Sequence, residues 1–81
     1  MLKLLTAALA LVFTTSAFAV TEEDLTDENK AKITTMLEAE GYEVGKFKIE
    51  DEMYEVYAKK DGQKYEVFLN DDFEIVEVKE D

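Results

Sequence analysis

The sequence contains no cysteine, histidine, arginine, tryptophan or proline, and its one serine is Ser16. Each absence removes a class of chemistry. Without cysteine there is no disulfide staple, whatever the compartment. Without histidine, hydroxyl- or thiol-based triads cannot form, and zinc sites built on His or Cys are excluded. Glycine occurs only at positions 41, 45 and 62. That spacing gives no glycine-rich phosphate loop, and the three residues suit a helix end, a strand and a turn.

Basic residues are also scarce. The 81 residues carry 20 acidic and 9 basic side chains, a formal net charge of −11. Charge of that sign repels polyanions, so nucleic acid and anionic membrane surfaces are poor partners. It is explained most simply by solubility; the alternative is weak binding of divalent cations by an acidic envelope protein. The EF-hand pattern is missing, so no dedicated calcium site is expected. The acidic clusters Glu50-Asp51-Glu52 and Asp71-Asp72 with Glu74 fall in or beside predicted turns. Acid–base work by paired carboxylates requires a cleft that separates two pKa values. A domain this small offers little cleft, so no enzymatic activity and no cofactor are expected.

Long apolar runs are confined to the start. Met1-Leu2-Lys3 is a short basic opening, Leu4 to Phe13 is uncharged and mostly apolar, and small residues stand at Ala17 and Ala19. This is the layout of a secretory leader with an A-x-A cleavage site. The apolar stretch is shorter than the about 20 residues needed to span a bilayer. Residues 1–19 are therefore read as a cleaved leader and the protein as periplasmic or secreted. Cleavage leaves 62 residues, Val20 to Asp81, with 20 acids against 8 lysines and a net charge of −12. Residues 20–25 are read as an acidic, poorly ordered tail, and 26–81 as one small domain. A domain of that size without staples rests on one compact apolar core.

A helix is predicted from Thr26 as cap to Glu40. Asp27 and Glu28 sit in its first turn, where the helix dipole favours negative charge. Ile33, Met36, Leu37 and Glu40 share one face, and Gly41 is the expected terminator. Thr21 with Asp24 offers an alternative, earlier start. After Gly41 the apolar period changes to two. Phe47 and Ile49, then Tyr54, Val56 and Ala58, then Tyr65, Val67 and Leu69 each line one strand face. Asp61-Gly62 is a two-residue hairpin signal. It pairs Ala58 with Tyr65, Val56 with Val67 and Tyr54 with Leu69, all on one face. A two-residue Asp51-Glu52 turn pairs Ile49 with Tyr54 and Phe47 with Val56, although it lacks Gly or Asn and a longer loop is an alternative.

The fourth strand, Phe73 to Val78, has two registers. A two-residue Asp71-Asp72 turn puts Val76 and Val78 on the core face. A three-residue loop puts Phe73 and Ile75 there, opposite Leu69 and Val67, and is favoured because it buries larger side chains. The expected fold is α+β: one amphipathic helix packed on a three- to four-stranded antiparallel meander. Tyr57 and Phe68 fall on the outer sheet face. In the first register Phe73 and Ile75 join them, and these four form the candidate partner-binding surface; in the second, Val76 and Val78 join instead. Cross-strand stabilisation is the plainer role for such residues.

The stretch GYEVGKFKIEDEMYEVYAKKDGQKYEVFLNDDFEIVEV, residues 41–78, resembles the PepSY domain, in particular its small exported single-domain members. The shared features are a helix ending in Gly-Tyr-x-Val, a Tyr-Glu-Val strand, an Asp-Gly turn and a following x-Glu-Val strand. Family members often close the last hairpin with Asp-Pro-x-Thr-Gly, where this chain has Asn70-Asp71-Asp72-Phe73-Glu74. The resemblance implies a fold like that of β-lactamase-inhibitor repeats and an extracytoplasmic location. It also implies a non-catalytic binding role, since PepSY domains occur in propeptides of thermolysin-type metallopeptidases and are thought to restrain them. A partner would then be a separate peptidase or other envelope protein.

Overall fold

The computed structural model describes residues 19–81. Of the predicted leader, residues 1–18, with Ala17, lie outside the described residues. The described chain forms one helix, α1 (Asp27–Ala39), and four strands, β1 (Glu43–Glu50), β2 (Met53–Lys60), β3 (Gln63–Leu69) and β4 (Ile75–Glu80). The strands make one antiparallel sheet in the order β1-β2-β3-β4. The α+β meander expected from the sequence is the observed fold.

Local chemistry explains the ends of α1. The Thr26 hydroxyl accepts from the Asn29 N–H at 3.1 Å, satisfying one of the free donors of the first turn. At the other end Gly41 has φ +97°. There the Gly41 N–H donates to Glu38 O and the Tyr42 N–H to Leu37 O, each at 3.0 Å. These two bonds form a Schellman motif. Ile33 and Leu37 are fully buried and Met36 packs beside them.

The β2–β3 hairpin has the register read from the sequence, from Tyr54↔Leu69 to Lys60↔Gln63. Asp61 and Gly62 both have positive φ, 54° and 80°, as a type I′ turn requires. The β1–β2 connection is also a two-residue turn, with Glu50 paired to Met53. Asp51 and Glu52 adopt φ 53° and 62° without any glycine.

Both edge strands carry a bulge, and each bulge solves the same problem. Val44 pairs with Ala58 and Phe47 with Val56, so Gly45 and Lys46 together stand opposite Tyr57. Strict alternation would put Val44 and Phe47 on opposite faces; the extra residue turns both to the core. Gly45 suits this position, since a Cβ there would lie 3.3 Å from the Tyr57 carbonyl oxygen. In β4, Val78 pairs with Val67 and Ile75 with Leu69, leaving Val76 as the additional residue.

That bulge corrects both registers considered for the last strand. Val78 lies on the core face as the first register required, but opposite Val67 rather than Tyr65, and Ile75 turns inward as the second required, but opposite Leu69 rather than Val67. The strand begins at Ile75 rather than Phe73, and the connection runs from Asn70 to Glu74. Asn70 organises it. Its Oδ1 accepts from the N–H groups of Asp72 and Glu74, each at 2.9 Å, and its Nδ2 donates to Glu74 Oε1 at 3.0 Å. Asn70 therefore supplies by side-chain bonding what Pro and Gly supply in other turns.

Residues 20–25 are not a loose tail. Val20 is buried in the core with Ile33, Leu37, Tyr54, Val56, Ala58, Val67 and Leu69, and Leu25 packs against that cluster. Glu22–Asp24 form a single 3₁₀ turn, in which the Asp24 carboxylate accepts from the Thr21 N–H at 2.8 Å. Thr21 and Asp24 thus cap this turn rather than an early start of α1. The acidic residues concealed two apolar anchors, Val20 and Leu25, one at each end of the segment.

Candidate functional site

The residues singled out as a binding surface do not lie together. Tyr57 on β2 and Phe68 on β3 share the outer face as diagonal neighbours, because Tyr57 pairs with Glu66 and Glu55 pairs with Phe68. Phe73 and Ile75 lie on the helix side instead. Phe73 packs its ring 5.8 Å from that of Tyr54, with Lys32 Nζ 5.7 Å from its centroid. Ile75 faces Leu69. The candidate surface therefore splits, because the bulge in β4 and the five-residue connection turn Phe73 and Ile75 inward.

On the outer face, strand pairing sets out two rows. One runs Lys48, Glu55, Phe68, Glu77; the other crosses Tyr57, Glu66 and Lys79. Two lysines lie over the aromatics, Lys48 Nζ at 5.9 Å from the Tyr57 centroid and Lys79 Nζ at 5.3 Å from that of Phe68. At that range a cation is attracted to the ring face. Phe68 is only 4 % exposed and Tyr57 is half-buried. Tyr57 is thus the aromatic that a partner can reach, with Phe68 beneath the charged side chains as its support.

Alternation along β2 turns Glu55 to the outer face, opposite Lys48 and Phe68. It is nonetheless 3 % exposed, and its Oε1 has no hydrogen-bond partner. Burial first, then a hydrogen bond to the Glu66 carboxyl and the charges of Glu50 and Glu66, push its carboxyl above the ordinary range, against the pull of Lys48. Strand pairing sets Glu55 between Lys48 and Phe68. The missing signal was the size of its neighbours, which exclude water from a residue that alternation alone assigns to solvent.

A second polar arrangement links the amino-terminal segment to the sheet. Asn29 Nδ2 donates to the Asp24 carbonyl at 2.9 Å and to the Tyr54 hydroxyl at 3.3 Å, and that hydroxyl donates to the same carbonyl at 3.4 Å. Burial, and the nearby charge of Asp24, raise the Tyr54 pKa above its ordinary value. This arrangement is structural: it fixes the start of α1 against β2.

An open depression of about 250 Å³ lies beside the β1 bulge, over Val44, Ala58 and Tyr65, with Tyr57, Lys59 and Lys64 at its margin. Its one carboxylate is Glu43, so it presents no carboxylate pair for acid–base work. Among the described residues no three Asp or Glu side chains are placed to hold a metal ion, and no helix is long and apolar enough to cross a membrane. What the geometry offers is surface: an outer face with a lysine-covered aromatic, and a sheet edge.

No curated protein and no solved structure is similar enough to this chain to count as a match. The family model described as peptidase propeptide and YPEB domain, PepSY_2, matches residues 3–79, nearly the whole chain, and the protein belongs to that family.

Proposed function

We propose that this chain is an exported, non-catalytic PepSY module that engages an extracytoplasmic protein partner, first of all a peptidase whose activity it restrains. The observation that carries this reading is the family match over residues 3–79, whose description couples the domain to peptidase propeptides. The leader-like residues 1–19 support export, with cleavage after Ala19. Ala19 is exposed, and among the described residues Val20 is the first to be buried. Processing at that bond would release a chain whose first residue belongs to the described core.

Tyr57 is the contact residue of this reading. It combines an accessible aromatic surface with a polar tip, the combination enriched at protein interfaces. The acidic background adds electrostatic preference for a basic partner surface. The decisive experiment titrates the purified protein into assays of thermolysin-type metallopeptidases. Loss of peptidase activity at saturating protein, weakened at least tenfold in apparent affinity by Tyr57→Ala, is the expected result; tenfold corresponds to about 1.4 kcal/mol. Full peptidase activity at every concentration removes the restraining role. Equal inhibition by wild type and variant removes Tyr57 from the contact.

A further inference from the structure

We propose that β4 is a docking edge for a second copy of this chain, paired antiparallel across a two-fold axis that passes through Val78. Among the described residues β4 is an outer strand of the sheet. It is also the one strand whose apolar side chains stay open. Ile75, Val76 and Val78 are 37, 50 and 41 % exposed, because the core under α1 is filled by residues of β1, β2 and β3. The opposite edge, β1, instead turns Val44, Phe47 and Ile49 into partial burial against the core. An open strand edge with apolar side chains is a template for strand addition.

The backbone is set up for this. The Asp81 N–H donates to Lys64 O at 2.9 Å. In an antiparallel ladder the bonded pairs alternate. Glu66↔Lys79 and Phe68↔Glu77 are then the pairs that exchange hydrogen bonds with β3. Val78 and Glu80 consequently direct their N–H and C=O groups away from the sheet. Two copies meeting at Val78 would exchange both of its backbone bonds.

Charge selects the register and the identity of the occupant. With Val78 on the axis, Glu77 of each copy lies opposite Lys79 of the other, in the closely spaced non-bonded positions. Two opposite-charge pairs form by symmetry, which favours pairing. A shift of the axis to Glu77 opposes two glutamates, and a shift to Lys79 opposes two lysines. Both place like charges face to face, which disfavours them. The sequence Glu77-Val78-Lys79 is thus complementary to itself in one antiparallel register, as an isologous interface requires. The acidic surface of the two copies opposes association. The contact area of one short strand is below that of a standard stable interface. The dimer is therefore expected to be reversible and weak, in the micromolar range or above.

Sedimentation velocity over a micromolar-to-millimolar concentration series tests this. The expected result is a concentration-dependent dimer that Lys79→Glu abolishes and that Glu77→Lys/Lys79→Glu restores, with circular dichroism confirming that each variant folds. Because the chain has no cysteine, Val78→Cys is a clean second probe. Paired Cα atoms about 5.5 Å apart lie within disulfide reach, so mild oxidation should cross-link this variant, while Glu38→Cys on the exposed face of α1 should not cross-link. A wild-type protein that stays monomeric throughout overturns the proposal. So does a dimer indifferent to Lys79→Glu, or equal cross-linking of the two cysteine variants.

Discussion

The backbone N–H of Val20 donates to the carbonyl of Glu52 at 3.0 Å, joining the amino-terminal segment to the β1–β2 turn. Both partners are unusual. Val20 is a buried core residue in a stretch that is otherwise acidic. Glu52 is the second of two consecutive non-glycine residues in the left-handed region. Such a residue costs roughly 1–2 kcal/mol, and here there are two in succession. The bond from Val20 anchors the strained turn from outside the hairpin.

Relieving that strain should stabilise the protein. Glu52→Gly keeps the backbone bond to Val20 and removes the Cβ that disfavours φ 62°. The turn becomes Asp-Gly, like the turn at Asp61-Gly62. We expect a gain of about 1 kcal/mol, which for a domain of this size raises the Tm by about 4–8 °C. Thermal unfolding followed by circular dichroism measures it. An unchanged or lower Tm would show that the Glu52 side chain contributes more than its backbone strain costs.

Val20→Ala tests the anchoring of the segment itself. It removes two buried methyl groups, at about 0.8 kcal/mol each before any cavity cost. We expect a loss of about 1.5–2.5 kcal/mol in urea unfolding, with the slope of the transition unchanged. A disordered tail would give no loss. Hydrogen exchange at Met53 and Tyr54 should accelerate in the same variant, because the turn next to them loses its outside support.

The hairpin, the helix and its caps were legible because each rests on short-range chemistry. Asp61-Gly62 fixes one turn, and one turn fixes a register that puts six apolar residues on a single face. The family was legible for the same reason, since its shared features sit in those segments. Val20 was missed because one apolar residue among acids has no periodicity to reveal it. The last strand was missed in register because its bulge breaks the alternation used to read it, and a bulge at Val76 leaves no glycine to mark it. Phe73 and Ile75 face inward, as the favoured register had them; the candidate surface took them from the other register, so half of it does not lie on the outer face. The burial of Glu55 was not legible, because burial on the outer face depends on the bulk of Phe68, Tyr57 and Lys48 across three strands, which no single segment displays.

Asn70 is the residue on which the last connection depends. Phe73 is held at φ 64°, an unfavourable conformation for a bulky side chain. The two N–H groups bound by Asn70 Oδ1 flank it in the chain. Asn70→Ala should cost about 1–2 kcal/mol, since each lost bond contributes about 0.5–1.5 kcal/mol and water replaces it in part. Asn70→Asp keeps the acceptor but loses the donor to Glu74 and adds charge beside Asp71, Asp72 and Glu74. An intermediate loss is expected for it, larger at low salt than at high salt. Chemical unfolding of both variants at two ionic strengths distinguishes these effects.

Glu55 gives the domain a stability that depends on pH. Its carboxyl is raised in the folded state, so the folded protein holds this proton more tightly than the unfolded chain does. Below the ordinary glutamate value, about 4.3, both states are protonated and the residue carries no penalty. As pH rises from there through the raised folded value, the unfolded chain ionises first and stability falls. Above the folded value the penalty is complete and constant. Glu55→Gln keeps the shape and removes the ionisation, so it should be more stable than wild type at neutral pH. Below about pH 4 that advantage should vanish. Self-repulsion among the other acidic residues also weakens the fold as pH rises, but it acts on both proteins, so the difference between their Tm profiles isolates Glu55. Glu66→Gln should shrink the difference, because it removes a charge that helps raise the Glu55 pKa. Parallel Tm profiles, or a Gln variant less stable at neutral pH, would show that ionised Glu55 is well accommodated in the fold.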